Sequence, residues 1–219
     1  MTEVDVIKTA IGEWDIARKD TMKAIDLLEK GTFFTISREE YETWDKLPVK
    51  PDKVYAFPSI FDSKLKFVVI DGETAKHPLD NSSLPYTFIK DFNSDYNVNG
   101  VDFLADTISG NIDIVDALKR TVRWNIMMQS WIKERTEGIV KPENGVFKSF
   151  GIPFESINNS LANSNVNEII ITLALKPVEN AGEEDPKFNA DVVLWSTEAT
   201  RSKGNITVQN VGFPCPPYC

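Results

Sequence analysis

The apolar pattern of residues 110–138 is the feature that most constrains how this chain can fold. Gly110-Asn111 can cap a helix here, acids follow in the first turn, and Lys133 and Arg135 lie in the last turn before Gly138. Its apolar positions cover more than one narrow stripe: Ile114, Val115, Leu118, Val122, Ile126, Met127, Trp131 and Ile132. This breadth predicts a long helix that is buried on two sides, or one whose second side meets another subunit.

A second helical pattern runs from residue 3 to residue 30. Its apolar positions recur every three or four residues and end before Gly31, which provides a C-terminal stop: Val4, Ile7, Ile11, Trp14, Thr21, Ile25 and Leu28. Arg18 interrupts this face and Gly12 weakens the helix. We therefore expect one kinked helix docked on a sheet or on a partner, and not a long coiled coil.

Short apolar segments between turn residues predict the strands. They are residues 32–36, 53–57 and 65–70 in the N-terminal part, and residues 167–175, 190–196 and 206–211 in the C-terminal part. Residues 71–100, which are polar around the apolar stretch 86–89, predict a long irregular connection. Ser37-Arg38-Glu39-Glu40 has the form of a capping box that opens a short helix through Trp44. Because strands and helices are grouped instead of alternating, the sequence predicts an α+β fold, with two long helices packed on mostly antiparallel sheets.

The length of 219 residues is compatible with one core or with two. We expect a single α+β domain over residues 1–219. The alternative is a subdivision near 100–110, into a part of residues 1–100 and a part of residues 110–219 that holds the long helix and the C-terminal antiparallel sheet. The chain has only two cysteines, Cys215 and Cys219, so a disulfide framework cannot stabilise its body. Stability must come from the core, for which 13 Phe and 5 Trp supply bulky side chains.

Charge and hydropathy narrow the classes of partner. A net charge of −9 disfavours nucleic acid, because affinity for phosphate backbones depends on clustered Lys and Arg. The N-terminus carries acids where a signal peptide needs a basic region, and the most apolar run, residues 169–175, is too short to cross a bilayer. We expect a cytoplasmic location, or one within a particle assembled in the cytoplasm, with neither nucleic acid nor membrane as partner.

The sharpest local motif is the segment Asp95–Asp106, which follows much of the calcium-loop template D-x-[DN]-x-[DN]-G-x5-E. Asp95, Asn97 and Asn99 supply alternating oxygen ligands, Gly100 permits the sharp turn, and Asp106 closes the loop. The motif departs from the template because Asp106 is shorter than the usual Glu and because Asp replaces the apolar residue at the eighth position. The alternative is a turn whose Asn and Asp side chains satisfy their own backbone. Apart from calcium at this loop, we expect no cofactor.

The sequence gives less support to other kinds of catalytic, nucleotide-binding or metal site. His77 is the only histidine, and no G-x-S-x-G elbow presents a nucleophile to it. The phosphate-binding glycine motifs are absent from the sequence. Cys215 and Cys219 cannot by themselves close a structural zinc site, which needs four ligands. Asp71-Gly72-Glu73 follows an apolar strand and could place two carboxylates at its end, although turns use the same residues.

The absence of triad and phosphate-binding motifs, together with two helices that carry more apolar surface than one narrow contact uses, favours a binding protein over an enzyme. We expect a protein that contacts other proteins and that can also self-associate, such as a subunit of a phage-type or secretion-type particle or an acidic inhibitor of a basic partner. Two alternatives stay open. One is a metal-dependent hydrolase using Asp71, Glu73 and the carboxylates of Asp95–Asp106, and the other is a calcium-binding module.

Overall fold

The computed structural model describes residues 2–75, 84–94, 112–138, 145–162, 164–179, 182 and 186–197, and the backbone of residues 206–210 and 213–215. The helices are α1 (Glu3–Ala17), α2 (Thr21–Leu28), α3 (Arg38–Asp45), α4 (Gly72–Ala75), α5 (Ile114–Glu137) and α6 (Phe154–Leu161). The strands are β1 (Phe33–Ser37), β2 (Lys53–Phe61), β3 (Lys64–Asp71), β4 (Phe88–Asp91), β5 (Ser149–Pro153), β6 (Glu168–Pro177), β7 (Phe188–Thr197), β8 (Ile206–Asn210) and β9 (Phe213–Cys215). Mixed helix and sheet confirm the α+β class.

The strands form two sheets. The first has the order β1-β6-β7-β8 and the second the order β4-β3-β2-β5-β9, and each strand pair that the structure describes is antiparallel. Asn93, just after β4, bridges to Phe33 in β1, with the Asn93 N–H donating to the Phe33 carbonyl at 2.9 Å. The two strand orders show that each sheet combines strands from the N-terminal and C-terminal parts of the chain.

The main core lies between the two sheets. Alternate residues point to it, as the two-residue period of a strand requires. Phe34 and Ile36 contribute from β1, Phe67 and Val69 from β3, and all four are fully buried. Phe34 stacks on Phe67 with 4.4 Å between the ring centroids, which directly joins the first sheet to the second.

Two helices cover the outer faces of these sheets. Ile7 of α1 packs in one cluster with Val68 and Ile70, the outward side chains of β3 in the second sheet. Ala117 in the first half of α5 packs with Val193 and Trp195, the outward side chains of β7 in the first sheet. The second half of α5 reaches the main core, where Trp124 and Trp131 pack together with 5.9 Å between their ring centroids.

The predicted helix over residues 3–30 is wrong in its continuity, because the chain forms α1 and α2 instead. The Arg18 side chain is buried at the break, and its guanidinium donates to Asp15 Oδ1 at 2.7 Å and to the Val146 carbonyl at 2.9 Å. Asp20 then begins α2 by accepting a hydrogen bond from the Lys23 N–H at 3.0 Å. Two long helices are therefore not confirmed. In the described parts of the chain, α5 has 24 residues, α1 has 15 and the other four helices have eight or fewer.

Capping explains how other elements begin. The capping box at Ser37 is confirmed, since the Ser37 N–H donates to Glu40 Oε2 at 2.8 Å and the Glu40 N–H to Ser37 Oγ at 3.3 Å. The cap of α5 is Asp113, whose carboxylate accepts from the Val115 N–H at 2.8 Å, and not the predicted Gly110-Asn111. A carboxylate accepts this hydrogen bond and also favours the positive end of the helix.

Candidate protein-binding surface

The first half of α5 is fixed to the first sheet by a buried ion-pair network. Arg120 reaches from α5 to Asp191 in β7, with 3.2 Å between Arg120 Nη1 and Asp191 Oδ2. The same guanidinium donates to Asp116 Oδ2, one helical turn earlier, at 2.7 Å. The Asp191 side chain is only 2% exposed, whereas that of Asp116 is 45% exposed. The helix is therefore joined to the sheet through a carboxylate that water barely reaches.

Burial raises the pKa of Asp191 to about 6, because the ionised carboxylate loses its hydration inside the protein. Arg120 and the Val192 N–H, which donates to Asp191 Oδ1 at 2.9 Å, act in the opposite direction. Their effect on the pKa is smaller than that of burial. The network holds α5 in place but carries an electrostatic cost at neutral pH.

Further contacts fix the rest of this helix. The Arg123 guanidinium donates to the Leu175 carbonyl at 2.9 Å and lies 5.0 Å from the centre of the Phe188 ring. Trp131 Nε1 donates to the Phe188 carbonyl at 3.0 Å. These bonds span the helix from its middle to its last turns, so its orientation about its own axis is determined by the sheet.

The opposite side of α5 carries apolar side chains that face solvent. Val115 is 52% exposed, Val122 50% and Ile126 77%, and Lys119 lies exposed between the first two. The four positions follow one another at intervals of four, three and four residues, which places them along one line of an α-helix. We call these four residues the α5 stripe. Exposed apolar side chains in a row are typical of a contact surface.

A cavity of about 370 Å³ opens beside the stripe, between α5 and the end of α2. It is lined on the α2 side by Leu28 and Gly31, and on the α5 side by Trp124, Ile126 and Met128. The hydroxyls of Thr21 and Thr136, 2.7 Å apart, join the start of α2 to the end of α5. The most exposed side chain of the stripe thus stands at the rim of a partly apolar groove.

The predicted site residues lie elsewhere or outside the described residues. Asp71 is buried, and its Oδ1 accepts from the Glu73 and Thr74 N–H groups at 3.1 Å each, so this carboxylate caps α4. Glu73 is exposed to solvent. The calcium-type loop with Asp95, Asn97, Asn99 and Asp106 lies outside the described residues, as do His77 and Cys219, and Cys215 is described only by its backbone in β9. Calcium binding and the hydrolase hypothesis therefore stay predictions.

The described residues contain neither a cluster of potential metal ligands nor a helix that could span a membrane. Within the ranges given above, no group of three or more His, Cys, Asp or Glu side chains is placed to hold a metal ion. None of the helices described has the length and apolar character needed to cross a membrane. Comparison with known proteins was equally negative, since no family model, no curated protein and no solved structure matches this chain.

The Arg120 and Asp191 pair was not predicted from the sequence. A signal was present, because Asp191 is an acid among the otherwise apolar residues 190–195, and buried acids need a charged or hydrogen-bonding partner. The identity of that partner depends on a contact across 71 residues of chain, which sequence spacing does not encode. The apolar breadth of α5 was recognised, but not which of its sides the sheet leaves open.

Proposed function

We propose that this protein works by binding other proteins and that the α5 stripe is its contact surface. The observation that carries the proposal is the exposure of Val115, Val122 and Ile126 on a helix whose other side is firmly fixed to the first sheet. Burying such side chains at an interface releases free energy in proportion to the apolar area removed from water. Because the helix is already ordered, little conformational entropy is lost when a partner covers it.

The shape of this surface supports a helical partner. A row of apolar side chains beside a groove is the arrangement that accepts an amphipathic helix, whose own apolar residues recur every three or four positions. Lys119 adds a positive charge in the middle of the row, while the chain as a whole has a net charge of −9. The stripe therefore suits an apolar partner segment with acidic residues better than a basic one. This favours a role as a subunit of an assembly over a role as an inhibitor of a basic protein.

Photo-cross-linking in the cells that make the protein tests this proposal. A benzoyl-phenylalanine side chain at Val122 should give covalent adducts with a protein partner, which mass spectrometry then identifies. Val49 provides the matched control, because it is also an exposed valine, at 79%, but lies between α3 and β2. Adducts at position 122 and none at position 49 are expected. Equal labelling at both positions, or none at either, would contradict the proposal.

A further inference from the structure

We propose that the partner of the α5 stripe is helix α1 of a second copy of this chain, which extends the proposed function by naming the occupant. The exposed side of α1 carries Val6, Thr9, Glu13 and Ile16, at intervals of three, four and three residues. Val6 is 41% exposed and Ile16 is 69% exposed. We call these four residues the α1 stripe. It has the same form as the α5 stripe but the opposite charge.

The two stripes match when the helices run antiparallel. Ile16 then faces Val115 and Val6 faces Ile126. The apolar pairs at the two ends are about 15 Å apart along α1 and about 16.5 Å apart along α5, given a rise of 1.5 Å per residue. The two apolar ends can therefore be in contact at the same time.

The charged residues fall into the same register. Glu13 lies three positions before Ile16 on α1, and Lys119 lies four positions after Val115 on α5, so the antiparallel arrangement brings the two opposite charges together. The remaining pair is Thr9 with Val122. In a parallel arrangement that starts from Val6 and Val115, Glu13 would face Val122 instead. Charge complementarity thus selects the antiparallel orientation.

The position of the helices determines the form of the assembly. The α1 and α5 stripes lie on helices that cover the outer faces of different sheets, and both stripes point to solvent, so they cannot meet within one chain. Where two neighbouring copies share only one such contact, the contact is head-to-tail, and it builds rings or open filaments. Two stripes of four residues each bury less than the roughly 1,600 Å² of a standard interface, so each contact is weak and assembly depends on concentration.

Charge reversal provides the test. Sedimentation velocity is measured over a range of concentrations for the unaltered protein, for Glu13→Lys, for Lys119→Glu, and for the two variants mixed in equal amounts. The side chains of Glu13 and Lys119 are exposed, so their substitution leaves the core intact. Far-UV circular dichroism checks the fold of each variant. Glu155→Lys, an exposed acid on α6, is the control for the change of net charge.

The unaltered protein and the control should associate as the concentration rises. Each single variant should associate roughly tenfold more weakly, because its own stripes then carry like charges. The mixture should regain association, since the lysine introduced into the α1 stripe of one variant meets the glutamate introduced into the α5 stripe of the other. A single sedimenting species for the unaltered protein at every concentration would overturn the proposal. A loss of association for Lys119→Glu but not for Glu13→Lys would also overturn it. That result would leave the α5 stripe as a contact surface for a different partner, so the proposed function would remain.

Discussion

Gly145 lies where the segment before β5 crosses the end of α1. Its φ of +51° is in the left-handed region, and a Cβ at this position would stand 2.6 Å from the Arg18 carbonyl oxygen. The neighbouring Val146 N–H donates to that same carbonyl at 3.0 Å. The close approach of two backbones explains why only glycine fits here without displacement.

Replacing Gly145 by alanine should lower the free energy of unfolding by about 1–3 kcal/mol, through backbone strain and the clash with Arg18. Gly12→Ala is the matched control, because a Cβ at Gly12, inside α1, meets nothing within 4 Å. That change should raise the free energy of unfolding by about 0.5–1 kcal/mol, as alanine favours a helix interior. Urea denaturation measures both, and equal effects of the two substitutions would show that the Gly145 backbone is not constrained.

Asp191 is the residue that should link stability to pH. Its pKa of about 6 in the folded protein exceeds the ordinary value of 3.8, so the folded state holds its proton more tightly than the unfolded state does. The contribution of Asp191 to the free energy of unfolding is therefore fully present below pH 3.8 and is lost as the pH rises through about 6. The loss is on the order of 2–3 kcal/mol, at about 1.4 kcal/mol for each pKa unit.

The variant Asp191→Asn isolates this effect. The free energy of unfolding of the variant, minus that of the unaltered protein, should rise between pH 4 and pH 7, because only the unaltered protein acquires a buried charge over this range. Urea titrations at a series of pH values measure the difference, in which the other titrating groups cancel. A difference that is constant with pH, or that falls, would mean that Arg120 compensates fully for the burial of Asp191.

At the scale of elements, the attachment of α5 to the first sheet depends on Arg120. Arg120→Met should lower the free energy of unfolding by about 3 kcal/mol, because it leaves the Asp191 carboxyl buried without its partner. Hydrogen exchange should become faster in the first half of α5, while Trp131 holds the second half in the core. Changing Asp191→Leu in the same protein should recover most of the loss. Exchange that accelerates equally along all of α5 would argue against this local attachment.

The elements also show how far the sequence could predict the fold. The apolar period of α5 and the run of β6, β7 and β8 were predicted because these patterns are local. The break at Arg18 was not, because it depends on hydrogen bonds to Val146, far away in the chain. The pairing of β1 with β6, which carries β1 into the C-terminal sheet, is equally non-local. A sequence period indicates which residues share a face, but not what lies against that face.

At the scale of the whole molecule, the sequence period likewise did not show what lies against each side of the helix that carries the candidate site. The sequence predicted a long helix that is buried on two sides or one whose second side meets another subunit. The structure shows the first sheet on one side and solvent on the other, so burial on two sides within the chain is wrong. Whether the chain forms one domain stays a prediction, although each sheet draws strands from both parts of it. The α5 stripe is a surface where this fold leaves a row of apolar side chains open. Our central proposal is that the protein meets its partner there.

The mass of the protein isolated under mild conditions tests this claim most directly. Light scattering should give a mass above the 24.7 kDa of one chain for the unaltered protein, and likewise for Val49→Asp, which places a charge outside the stripe. Ile126→Asp should reduce the mass to 24.7 kDa, because a charge in one of the two apolar end pairs of the contact cannot be buried without a partner. A mass of 24.7 kDa for all three proteins at every concentration would contradict the account.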